Sequence, residues 1–138
     1  MAKDFYHESV KEALINDGWI ITHDPYYLDI NNPAPLEIDL GAEKLISADR
    51  GSEKIVVEVK SFLNKSLTYD FHLAYGQFRI YRRGLKKTDP ERVLFLALPK
   101  DVYIEIQQRS FYMDLINDEK IYLLIFNYST KTIDSWIK

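Results

Sequence analysis

Glu58 and Lys60 stand two apart in Ile55-Val56-Val57-Glu58-Val59-Lys60, a β-branched run that otherwise reads as core. Successive side chains of a strand alternate between faces, so these two share one. Asp39 sits inside Leu36-Glu37-Ile38-Asp39-Leu40, whose apolar–polar alternation has the period of a half-buried strand. A carboxylate in a strand that is otherwise core costs desolvation energy unless it is paired or binds a cation. Two carboxylates and a lysine on neighbouring strands make a hard-oxygen site suited to Mg2+ or Mn2+. A cation held by Asp39 and Glu58 would stabilise charge on a phosphodiester and acidify a bound water. Lys60 would orient that water or neutralise charge developing on the phosphoryl group. Most E-x-K pairs on strands are exposed ion pairs of little consequence. The apolar flanks and the second carboxylate one strand earlier set this pair apart, and Asp39, Glu58 and Lys60 are expected to converge at one end of a central sheet.

Several elements must position these residues. Residues 4–17 read as a helix on the stripe Tyr6, Val10, Ala13 and Leu14, with Asp4 as cap and Gly18 as the stop. Trp19 to Thr22 is a short strand, and residues 23–35, with three prolines and two asparagines, read as a loop or irregular edge strand. Leu36–Leu40 reads as one strand, Glu43–Ala48 as another turning at Asp49-Arg50-Gly51, and Lys54–Lys60 as a third. Thr68 is a candidate cap for a helix over 69–86, followed by a buried strand from Arg92 to Leu98 that Pro99 ends. Residues 101–117 read as helical with a break near Ser110, and strands follow at Ile121–Phe126 and Thr132–Ile137. A lone helix, a run of strands, then alternating helix and strand indicates an α/β sheet with helices on both faces.

The helix after the third strand carries Ala74, Phe78, Tyr81 and Leu85 on one face, with Gln77 at its margin one turn before Tyr81. Gln77 either reaches the site or a substrate phosphate, or is a boundary glutamine beside a core tyrosine. Arg79, Arg82, Arg83, Lys86 and Lys87 project from the opposite side, where the default is a solvated face and the alternative a DNA-backbone contact.

The 138 residues fit one domain, 46% hydrophobic and 28% charged. The absence of cysteine excludes disulfides, thiolate metal sites and cysteine nucleophiles, and suits a cytoplasmic protein. No apolar run reaches the roughly 18 residues a membrane span needs, and the opening MAKDFYHESV has no apolar signal region. The net charge of -3 counts against tight non-specific binding to DNA. His7, His23 and His72 lack any zinc spacing. The last strands, with Trp136 near the end, could pair as an edge with a second copy to form a homodimer.

The order helix, strand, Ile38-Asp39-Leu40, Val57-Glu58-Val59-Lys60, helix with Gln77-Phe78-Arg79-Ile80-Tyr81, strand resembles the PD-(D/E)XK nuclease core, and Gln77 with Tyr81 matches the QxxxY motif of its RecB-like and Holliday-resolvase-like branches. The phrases KEALINDGWIITHDP, IDLGAEKLISA, KIVVEVKSF and FHLAYGQFRIYR are similar to the XisH family, cyanobacterial fdxN element excision controlling factors, over nearly the whole chain. The resemblance implies a single α/β domain over residues 1–138, an α-β-β-β-α-β core with a C-terminal α-β-β extension. It implies a Mg2+-dependent DNA endonuclease-like protein linked to programmed DNA excision in heterocyst development, with DNA and an XisI-type companion as partners. Ile38 stands where the motif has proline. The glutamate that many members carry in the first helix falls on His7, with Glu8 one place off, so His7 is a metal ligand, a water-positioning group, or a surface or boundary histidine. The other reading is a non-catalytic regulator that keeps the fold and binds a partner protein.

Overall fold

The structure, a computed structural model, describes residues 5–30, 35–38, 40–45, 52–64 and 66–138. Helix α1 (His7–Asn16) buries His7, Val10, Ala13 and Leu14 as one stripe. It stops where Gly18 takes φ 91°, a conformation only glycine adopts without strain, and the Trp19 amide donates back to the Leu14 carbonyl at 3.0 Å. Strands β1 (Ile20–His23), β2 (Tyr26–Leu28), β3 (Leu36–Ile38), β4 (Leu40–Leu45) and β5 (Ser52–Val59) precede the long helix α2 (Leu67–Thr88). Then come β6 (Val93–Pro99), α3 (Lys100–Gln107), α4 (Ser110–Asp118), β7 (Leu123–Asn127) and β8 (Thr132–Ile137).

The main sheet has the order β1-β4-β5-β6-β7-β8. β5, β6 and β7 run parallel and the outer pairings are antiparallel. The parallel strands are covered on both faces, which is why they read as unbroken Val, Ile and Leu runs. Alternation divides the core. Val56, Leu94, Leu96, Leu98, Leu123 and Ile125 pack under α2, α3 and α4. Ile55, Val57, Val59, Phe95, Ala97, Leu124 and Phe126 pack with Val10 and Leu14 of α1. The mixed sheet with helices on both faces, the break at Ser110 and the last strand Thr132–Ile137 agree with the sequence patterns.

Two expectations differ. Leu36–Leu40 is not one strand: Leu36–Ile38 pairs with Tyr26–Leu28 in a separate two-stranded sheet, whereas Leu40–Leu45 joins the main sheet. Leu28 and Leu36 find their apolar cover in the α2-side core, so the alternation was satisfied by a different neighbour from the one it suggests. The same pairing makes Tyr26–Leu28 a three-residue edge strand within the proline-rich stretch, the second of its two readings. The cap of α2 is Ser66, whose Oγ accepts the Tyr69 amide at 3.1 Å, and Thr68 lies inside the first turn. The expected cap Asp4, the turn at 49–51 and Asp39 lie outside the described residues.

Candidate active site

Glu58 is the one polar residue in the last five positions of β5, at 7% exposure between Val57 and Val59. Its two neighbours belong to the α1 side, so Glu58 shares the face of Val56 beneath α2. The ladder continues past the strand end, where the Lys60 amide donates to the Ala97 carbonyl at 3.0 Å. That bond fixes the lysine two positions on, and its Nζ lies 3.3 Å from Glu58 Oε1 with the side chain 22% exposed. Beyond it, Asp70 staples the connection to α2: Oδ2 accepts the Asn64 amide at 3.2 Å and Oδ1 its side-chain amide at 2.7 Å. A buried carboxylate held beside a partly exposed ammonium at a strand end can take a divalent cation or a phosphate-bound water. Glu58 is a hard-oxygen donor of the required type. The second expected ligand, Asp39, lies outside the described residues, but its chain neighbour Leu40 pairs with Val57, the chain neighbour of Glu58.

Gln77 and Tyr81 sit one turn apart on α2, on the layer above the Glu58 face. Tyr81 is buried in the α2-side core. Gln77 is half-buried, and its Oε1, shielded from solvent, has no hydrogen-bond partner among the described residues.

His7 is not a surface residue. It is 2% exposed and its Nε2 lies 2.7 Å from Asp24 Oδ1, while Lys11 Nζ donates to Asp24 Oδ2 at 2.8 Å. Burial resists ionisation of Asp24, but the Lys11 hydrogen bond and the His7 contact outweigh it and hold the carboxyl below the usual range. The hydrogen bond to Asp24 raises Lys11 in turn. One ligand atom each from His7, Glu8 and Asp24 falls within 4.8 Å of the others. This cluster belongs to the α1 side of the sheet, whereas Glu58 faces α2. Asp24 was not legible as its member, because a separation of 17 residues carries no local periodicity.

The outer face of α2 borders a groove of about 1150 Å3 lined by Arg79, Arg82, Arg83, Lys86 and Lys87, with Asp29 the one acid on its wall among the described residues. Arg79 pairs with Glu119 at 3.7 Å and Arg82 donates to the Lys120 carbonyl at 2.8 Å. Ile80, in the same groove, is 56% exposed.

The family model described as XisH protein matches residues 1–134. The chain belongs to the XisH family. Its fold is close to that of an XisH family protein from Nostoc punctiforme PCC 73102, with 40% identity, a TM-score of 0.87, and coverage of 98% of this chain and 100% of that one. A fdxN element excision controlling factor protein from Anabaena variabilis is 39% identical, with a TM-score of 0.86 and coverage of 96% of this chain and 98% of that one. No curated protein matches. Among the described residues, no helix of this XisH protein is long and apolar enough to cross a membrane.

Proposed function

We propose that this XisH protein is a Mg2+- or Mn2+-dependent DNA endonuclease-like protein that acts in the excision of a DNA element, on a PD-(D/E)XK core. The observation that carries this is the buried Glu58 with Lys60 at 3.3 Å, at the end of a β-branched strand. Support comes also from the Leu40–Val57 pairing beside Asp39 and Glu58, and from similarity to a fdxN element excision controlling factor. Asp39 and Glu58 would hold the cation, which when bound supplies charge stabilisation at a phosphodiester and a more acidic water. Lys60 keeps an ammonium at the mouth of the site, where it orients a water and a phosphate oxygen. Gln77, whose buried amide oxygen has no partner among the described residues, is the positioning group from α2, with Tyr81 one turn further along in the core.

Purified protein is incubated with Mg2+ or Mn2+ on linear, branched and supercoiled DNA. The expected result is metal-dependent cleavage that Glu58→Gln and Lys60→Ala abolish. Cleavage unchanged in Glu58→Gln would assign the activity to another site or a contaminant and end this reading.

A second reading, a non-catalytic regulator that binds an XisI-type companion, is favoured by the α2 groove. Arginine and an exposed isoleucine suit a protein interface better than a solvated face. Capture of the companion by the wild type, and its loss in Arg83→Glu with Lys86→Glu, is the result expected there. Equal capture by both proteins removes that groove from the interface.

A further inference from the structure

On the α1 face, at the opposite end of β5 from Glu58, lies a pocket of about 290 Å3. Glu53 and Ile55 border it, so it is removed from Glu58 by roughly 10–16 Å along the strand and looks out on the other side of the sheet. Its walls are aromatic. Trp19 and Trp136 lie 5.7 Å apart between centroids, and Phe95 meets Trp136 edge-on at 4.9 Å. Two carboxylates stand at the mouth: Glu53 on β5, and Asp17, whose Oδ2 accepts the Trp19 indole N–H at 3.2 Å. A cation is already there, for Lys138 Nζ sits 5.8 Å from the Phe95 ring centroid.

We propose that this pocket binds an alkylammonium cation the size of a lysine side chain. Ring faces carry negative charge in their quadrupole and attract weakly hydrated organic cations. They do not ligate Mg2+, which takes oxygen donors and keeps its waters. The two carboxylates at the mouth repel anions and add attraction to the same cation. Lys138 shows the chemistry the walls accept, and the pocket volume remains with that side chain at its edge. The site is independent of the nuclease reading, since it uses none of those residues.

Both tryptophans of the chain line the pocket, so tryptophan emission, excited at the red edge where the tyrosines do not absorb, reports on its walls. The intact protein and Lys138→Gln are titrated with tetramethylammonium chloride and with Nα-acetyl-lysinamide, against sodium chloride at matched ionic strength and tert-butanol as a neutral isostere. The expected result is a saturating change in emission with one or both ammonium compounds and neither control. Response to tetramethylammonium alone indicates a free quaternary amine, and response to the lysine derivative indicates a side chain of a partner. Lys138→Gln should bind more tightly because the resident cation is gone. Glu53→Gln, at an exposed position that leaves the core intact, should bind roughly two- to fivefold more weakly. Equal, non-saturating responses to ammonium, sodium and tert-butanol overturn the proposal. So does a response to tert-butanol as large as that to tetramethylammonium, which would make the pocket apolar only.

Discussion

At Glu58 the cost of burying a carboxylate and the gain from a nearby ammonium are set against each other. Lys60 remains partly exposed, so water screens the pair and leaves the carboxylate able to exchange its lysine for a cation. Glu58→Gln is nearly isosteric and removes the charge that would hold a metal. At tenfold saturation a bound cation stabilises the wild type by about 1.4 kcal/mol, a rise in Tm of roughly 3–6 °C. Thermal melts with and without Mg2+ should give that rise in the wild type and little in Glu58→Gln. Equal shifts in both proteins would show the metal binding elsewhere. Tyr26 makes a second case at this scale. Burial, then the hydrogen bond to Asp89 at 3.0 Å, push its hydroxyl up to about 12. The raised group is the one that loses its proton, so its contribution is complete below the ordinary value near 10 and is lost as pH rises from about 10 towards 12. Chemical denaturation as a function of pH should fall in that window for the wild type. Tyr26→Phe should be less stable by about 1 kcal/mol at neutral pH, with a flatter alkaline limb. Parallel limbs would mean that another group governs alkaline unfolding.

Among the elements, α2 shows where local chemistry decides a boundary. Ser66 and Thr68 are both good caps by type, but only Ser66 stands three residues before an amide that its hydroxyl receives. Ser66→Ala should therefore cost about 1 kcal/mol and Thr68→Ala much less, measured as denaturant midpoints. The reverse order would restore the start at Thr68. Most elements were legible because their signals are local: the stripe of α1, the β-branched run of β5, the apolar run of β6 and the break before Ser110. The division of Leu36–Leu45 between two sheets was not. A period of two states that one face is covered, but not by which neighbour. At the candidate site, the proximity of Glu58 and Lys60 followed from strand alternation. The hold of Asp24 on His7 did not, because it depends on where the chain returns after β1.

For the whole molecule, the contact between the small β2–β3 sheet and α2 joins two layers that the sequence does not connect by any pattern. The contact passes through Gly84. A Cβ there would meet Leu28 Cδ2 at 2.7 Å and Ile30 Cγ2 at 2.9 Å. Leu28 is 1% exposed, so the leucine cannot turn out into solvent, and Ile30 packs against the same core. Gly76, two turns earlier on the same helix, would meet nothing within 4 Å. Replacing glycine by alanine inside a helix gains up to about 1 kcal/mol from propensity alone. At Gly76 nothing opposes that gain, so Gly76→Ala should raise the midpoint of unfolding. At Gly84 the same gain meets an overpacking cost of about 1–3 kcal/mol, and the net effect should be destabilising. Because the strain falls between the small sheet and α2, and not between α2 and β5, the Mg2+-induced shift in Tm should survive in Gly84→Ala. Two stabilising substitutions would mean that the small sheet yields without cost. A lost metal response in Gly84→Ala would mean that the docking of that sheet is needed to shape the site at Glu58.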